Sequence, residues 1–173
     1  FDEKYRNPSI NDLHQAFSVE KVSQQFFDKY KILTENLTNS IEKLRKQDRK
    51  IDSEFRNKNI DNFDFSKKLM GQIIFIYFIQ KKGWIGIKKD VQGNFSSWGS
   101  GPRDFFQKLF KKEFCDYKNF YNDVLEHLFY NDLASENVES LSSKLDCKVP
   151  FLNGGLFEPL NNHNWQETDI LIE

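Results

Sequence analysis

Asp64-Phe-Ser-Lys-Lys-Leu-Met-Gly-Gln-Ile-Ile-Phe-Ile-Tyr-Phe-Ile-Gln-Lys-Lys-Gly83-Trp84 is the stretch on which the fold turns. From Leu69 to Ile79 it is apolar nearly all the way round, interrupted by Gly71 and Gln72. A run of this kind is shorter than the ~20 residues that a bilayer crossing takes, so it reads as a buried central segment. Ile73 to Ile79 is β-branched and aromatic enough for a strand. Length and ends decide for a helix over about 64–82. Asp64 or Ser66 caps its start, Lys81 and Lys82 stand where the helix dipole favours cations, and Gly83 suits a left-handed residue past the end.

Upstream, Val19, Val22, Phe26, Tyr30, Leu33, Leu37, Ile41 and Leu44 recur at steps of three and four. They form an amphipathic stripe on a long helix over about 18–46, which packs on the central one. The mean period also approaches that of a coiled-coil seam, but the charged flanks of such a seam are not consistent. Ser9 and Asp12 mark the start of a short first helix ending near Phe17, and Ser18 offers a cap to the next. Residues 47–59 are charged, with Ile51 and Phe55 as the large apolar side chains, and read as a helix extension or a solvated connector.

Downstream, Lys88 to Gly101 form a glycine- and serine-rich loop around Phe95 and Trp98, either an ordered surface loop or a contact patch. Pro102 fits the first position of a helix carrying Phe105, Phe106, Leu109, Phe110 and Phe114. Residues 117–133 repeat the pattern with Phe120, Tyr121, Val124, Leu125, Leu128, Phe129 and Leu133. Residues 135–148 read as polar and irregular. Val149-Pro-Phe-Leu-Asn-Gly-Gly-Leu-Phe157 reads as a hairpin over about 149–158, turning at Asn153-Gly154. The expected fold is mainly α: one helical domain with a buried central helix and a small β-hairpin near the C-terminus.

A chain of 173 residues is long enough for one domain with a real core. With 18 phenylalanines, that core should be packed by large aromatic side chains. The net charge of −1 and mean hydropathy of −0.69 give no global argument for nucleic-acid binding and leave a local patch open. Cys115 and Cys147 are isolated, which favours free thiols in a reducing cytoplasm. Phe1 follows no initiator Met or targeting segment, and the chain closes on an apolar run, Asp169 to Glu173, so both ends read as cut from something longer.

Reactive chemistry is hard to place. His14, His127 and His163 stand far apart, without metal-ligand spacing to one another or to the cysteines. Asp52-Ser-Glu54-Phe-Arg56 comes nearest to the acidic pattern that holds Mg²⁺ in a nuclease, but its charged, helical context marks a solvated helix face. No glycine-rich cofactor loop follows a strand, and no Asn-Pro-Pro-aromatic site is present. Asn153-Gly154-Gly155 is an anion-binding nest or a plain turn. No catalytic, cofactor-binding or metal-binding residue is therefore assigned. Paired lysines at 67–68, 81–82, 88–89 and 111–112 are interleaved with Trp84, Trp98 and Phe114. Among them Lys81, Lys82, Lys88 and Lys89 are the candidate nucleic-acid contacts, with solvated lysines at helix ends as the plain alternative.

Three segments carry a resemblance: Phe17-Ser-Val-Glu-Lys-Val-Ser-Gln-Gln-Phe-Phe27, Ile76-Tyr-Phe-Ile-Gln-Lys-Lys-Gly-Trp84 and Val149-Pro-Phe-Leu-Asn-Gly-Gly-Leu-Phe-Glu158. In this order they resemble the region upstream of the methyltransferase core in type IIG restriction–modification enzymes and related phage-defence adenine-specific DNA methyltransferases. The resemblance spans Ile10 to Glu158. It implies a non-catalytic helical connector, residues 1–173, excised from a cytoplasmic enzyme that modifies, and in some forms cleaves, DNA. Its implied partners are DNA and the neighbouring methyltransferase and nuclease domains, with no membrane. S-adenosylmethionine, and Mg where a nuclease is retained, are implied for the parent and none for this segment. The alternative is a free-standing helical interaction module that binds protein through Trp84, Phe95 and Trp98.

Overall fold

The computed structural model describes residues 9–10, 19–136, 140–152, 154–170 and 172. Among the described residues the α-helices are α1 (Val19–Gln47), α2 (Arg49–Asn57), α3 (Asn62–Lys81) and α4 (Phe105–Phe110). Two consecutive π-wound segments follow, Tyr121–Leu125 and His127–Leu133, then strands β1 (Leu141–Ser142) and β2 (Cys147–Lys148) and a 3-10 turn, Leu160–Asn162. Of the expected short first helix, from Ser9 to about Phe17, only Ser9 and Ile10 are among the described residues; the remainder and the Ser18 cap lie outside them.

The central helix forms as the sequence predicts, but it starts earlier. Asp61, rather than Asp64 or Ser66, is the cap: its Oδ1 accepts from the amides of Phe63 at 2.8 Å and Asp64 at 3.1 Å. The turn that places it is tied by the Ile60 amide donating to the Phe55 carbonyl at 2.8 Å. Ser66 is instead buried inside the helix, its hydroxyl donating back to the Asn62 carbonyl. Nor is the helix buried all round. Phe65, Leu69, Gln72, Ile76 and Ile79 line one buried face at steps of three and four, while Tyr77 and Phe78 remain 46% and 56% exposed. The apolar run predicts envelopment, whereas Tyr77 is only partly covered, by Phe106 of α4, and Phe78 stays exposed.

The polar interruptions of the run anchor loops. Gln72 Nε2 donates to the Leu156 carbonyl at 2.8 Å. Gln80 Oε1 accepts from the Phe106 amide at 2.8 Å, serving the start of α4, where Asp104 makes no side-chain cap. Helix α4 is thus shorter than expected, and Pro102 and Phe114 both lie outside it.

Helix α1 runs along α3, and α2 follows α1. The charged 47–59 stretch is a separate helix, because Asp48 caps a new start: its Oδ1 accepts from Lys50 and Ile51. Ile51 and Phe55 enter the core. The amphipathic stripe of α1 is buried at Ile41 and half-buried at Leu37 and Leu44, whereas Phe26 and Leu33, nearer its start, are exposed.

The hairpin lies one segment earlier than expected. Strands β1 and β2 pair antiparallel, Leu141 with Lys148 and Ser142 with Cys147, and Lys148 also bridges Ile87. Residues 149–158 spend their bonds elsewhere. Pro150 has no amide to donate, Leu152 donates to the Leu133 carbonyl, and the Gly155 and Leu156 carbonyls are taken by Lys68 and Gln72. The predicted turn residue Asn153 lies outside the described residues.

The last described stretch straps back across the first helices. Asn161 Nδ2 donates to the carbonyls of Lys58 and Asn59, Glu54 Oε1 accepts from the Asn164 amide at 2.7 Å, and Lys50 Nζ donates to the Glu167 carbonyl. Ile170 is fully buried in the core, where the sequence suggests a run without a partner.

Candidate nucleic-acid interface

Charge is unevenly spread along the chain. Residues 81–118 hold nine Lys and Arg against four Asp and Glu, a net of +5, while residues 119–173 hold two against ten, a net of −8. A neutral total therefore conceals a basic middle and an acidic last third, and the basic segment is where a polyanion would be met.

That segment is rigidly built. Gly83 sits at φ +68, and a Cβ there would lie 2.4 Å from the Gly99 carbonyl oxygen. Its own carbonyl accepts from the amides of Gly99 and Gly101, both at 3.0 Å. Arg103 closes the same corner, donating to the Lys81 carbonyl at 2.6 Å and the Gly99 carbonyl at 3.1 Å. Gly86, at φ +76, lets the chain pass against the ring of Phe105. Asp90 Oδ1 accepts from Gln92 and Asn94, closing a tight turn beside the Lys89–Phe95 bridge. The glycine- and serine-rich stretch is thus an ordered loop. Its amides and carbonyls are tied to one another in the turn after a helix.

Lysines lie over aromatic rings across this surface. Lys82 Nζ stands 5.9 Å from the Phe78 ring centre, Lys88 4.3 Å from Phe114, Lys89 5.2 Å from Phe95, Lys112 4.6 Å from Tyr117 and Lys148 4.5 Å from Trp98. Cation–π contact of this kind holds the ammonium groups in place without neutralising them. The four sequence-predicted contacts are all exposed, and two of them border separate clefts. Lys88 borders one of about 340 Å³ with Lys108, Ser96 and Ser100. Lys81 borders one of about 460 Å³ with Tyr77, Arg103, Phe106 and Phe110. Lys88 is partly committed, since its Nζ also donates to the Glu113 carbonyl at 2.9 Å. Arg103, Lys108 and Lys148 escape a search for paired lysines; the segmental charge count finds the first two, and the strand pairing brings in Lys148.

Other candidate groups serve the fold. Asp52 binds Arg45 at 2.8 Å and Arg56 at 2.8 Å. The Asp52–Arg56 stretch is therefore a helix face tied by ion pairs. The His127 ring packs edge-on against Trp165, and the His163 ring lies between Phe65 and Tyr130. Burial holds the His163 imidazole below its usual range, which favours its neutral form. His14 lies outside the described residues. Cys147 is buried and its thiol is pushed up to about 12, so it is inert at neutral pH. Among the described residues, no group of three or more His, Cys, Asp or Glu is placed to hold a metal ion, and no helix is long and apolar enough to cross a membrane.

Comparison with known proteins links the chain to restriction–modification. It is 30% identical over 115 residues to a protein of Methanocaldococcus jannaschii whose name describes a type II restriction enzyme and methyltransferase. The match takes in 61% of this chain and 8% of that protein's length. No protein-family model matches the chain, and no solved structure matches it.

Proposed function

We propose that this chain is the helical connector of a type IIG-like DNA restriction–modification protein and contacts the DNA backbone through its basic middle segment. The observation that carries the reading is the concentration of net positive charge in residues 81–118, on a surface held stiff by backbone bonds, in a chain similar to a restriction–modification protein. A connector has to transmit geometry, and the aromatic packing around α3 supplies the stiffness. The residues 81–118 then set the height of the duplex against that frame. Phosphate contacts of this kind fix register and orientation and carry no sequence information.

In the longer protein the donor for adenine methylation is S-adenosylmethionine, and Mg²⁺ serves cutting where a nuclease is present. Both are held outside this chain, whose partners are the adjoining methyltransferase and nuclease modules. Defence against phage DNA in the cytoplasm is the setting this function fits.

Titrating a labelled DNA duplex with the chain at increasing salt tests the backbone contact. Affinity is expected to fall linearly on a log–log plot, with a slope near −0.9 per phosphate neutralised. Changing Lys81, Lys82, Lys88 and Lys89 to Ala should make that slope shallower, with Lys88 contributing least. Absence of duplex binding at low salt would remove the proposal, as would methyl transfer from S-adenosylmethionine by this chain alone.

A further inference from the structure

The cleft between the last turns of α3 and helix α4 has a composition that phosphate contact does not explain. Its lining combines Tyr77, Phe106 and Phe110 with the cations Lys81 and Arg103 and the amide of Gln107. At about 460 Å³ it falls within the range of ~300–1,000 Å³ typical of small-molecule sites. Tyr77 and Phe110 are 46% and 60% exposed, so both rings are open to a ligand.

The rings are held. Tyr77 and Phe106 have centres 5.3 Å apart at a 40° tilt. Phe120 stands edge-on behind both Phe106 and Phe110, at 5.7 and 5.3 Å. The Tyr117 hydroxyl donates to the Phe110 carbonyl at 2.5 Å, and Gln80 fixes the amide of Phe106. Orientation is therefore set before anything binds, which lowers the entropy lost on binding. The negative charge lining the cleft, Asp104, pairs with Lys108 at 3.6 Å, leaving Lys81 and Arg103 as the cations of the lining.

We propose that this cleft receives an unpaired base of single-stranded DNA, stacked against Tyr77 and Phe110 while Lys81 and Arg103 face the adjoining phosphates. The inference rests on the DNA-contact reading above and deepens it. Flat π-faces and a cationic lining together match an unstacked nucleotide, which presents a π-face and a negative charge a few ångströms apart. A base inside a duplex hides both faces against its neighbours. The cleft thus selects strand separation, a frayed end or an extruded base, where the lysines alone accept any duplex. The Gln107 amide offers both a donor and an acceptor to a base edge.

The test compares a short labelled oligothymidylate with a fully paired duplex, read by fluorescence anisotropy on the 173-residue chain. The variants are Tyr77→Ala, Phe110→Ala and Tyr77→Phe; far-UV circular dichroism checks folding, which substitution at these exposed positions should preserve. Single-strand affinity is expected to fall at least about fivefold in either alanine variant, the lower end of what base–aromatic stacking contributes per base. Duplex affinity should not change, and Tyr77→Phe should bind the single strand as the parent does. Upfield shifts of the Tyr77 and Phe110 ring protons on adding oligothymidylate report the stacking directly. Unchanged single-strand binding in both alanine variants, or capture of an aromatic peptide in preference to oligothymidylate, would overturn the inference. If neither DNA form binds at low salt, the backbone-contact reading fails as well; duplex binding that survives while single-strand binding ignores the rings sinks the cleft alone.

Discussion

Glu126 is an uncomfortable residue. It lies between the two π-wound segments with 1% of its surface exposed, and its Oε1 has no hydrogen-bond partner among the described residues. Burial, reinforced by the charge of Asp169, raises its carboxyl from 4.5 to about 9. The folded chain therefore keeps a proton that the unfolded chain releases above its ordinary value. Stability from this group is fully present below pH 4.5 and declines as pH rises towards about 9. Thermal melts should show Tm falling over that interval, and Glu126→Met should flatten the fall and add about 1–2 kcal/mol at the alkaline end. Tm values of parent and variant that run parallel across the interval would refute this account. Gly86 is a second residue with little freedom. A Cβ there would meet Phe105 Cδ2 at 2.3 Å, on a backbone already at φ +76. Gly86→Ala should cost about 2–4 kcal/mol in urea unfolding, from strain and overpacking together.

Among the elements, the junction of α1, α2 and α3 is held by Arg45. Its guanidinium reaches Asp52 in α2 and Asn62 at the start of α3, and lies 5.1 Å from the Phe55 ring centre. Arg56 shares Asp52 but is 75% exposed, against 19% for Arg45. Arg45→Ala should therefore destabilise by about 1–3 kcal/mol and Arg56→Ala by less than about 0.5 kcal/mol, measured by chemical denaturation. This junction also marks the reach of sequence reading. Periodicity located α1 and α3 to within a few residues, because their apolar repeats are long. The cap of α3 was missed because Asp61, Asp64 and Ser66 all suit the role, and the Phe55–Ile60 turn chooses among them. The π-winding of 121–133 was not legible, since its apolar spacing resembles that of an α-helix over so short a span. The hairpin was displaced because an Asn-Gly signal is local, whereas Gln72 and Lys68 bind the backbone of that segment from afar. At the candidate interface the lysine pairs could be read directly. The rings beneath Lys88 and Lys148, and the cleft around Tyr77 and Phe110, depend on neighbours distant in sequence.

At the scale of the whole molecule, residues 154–170 tie together parts that are otherwise separate. They reach Lys50, Glu54, Lys58 and Asn59 on one side and Lys68 and Gln72 on the other, across sequence gaps of 84 to 117 residues. Phe157 and Ile170 complete the core. A chain stopped after Leu152 should lose cooperative unfolding and bind a hydrophobic dye, while α1 and α3 retain much of their far-UV signal. A sharp, native-like melt for that truncation would contradict this role. Because the strap follows α1 to α4 in the chain, the ribosome exposes those helices well before their clasp exists. Phe55, Phe65 and Ile76 then wait uncovered during synthesis, so chaperone demand should peak just before the strap emerges and drop once it docks.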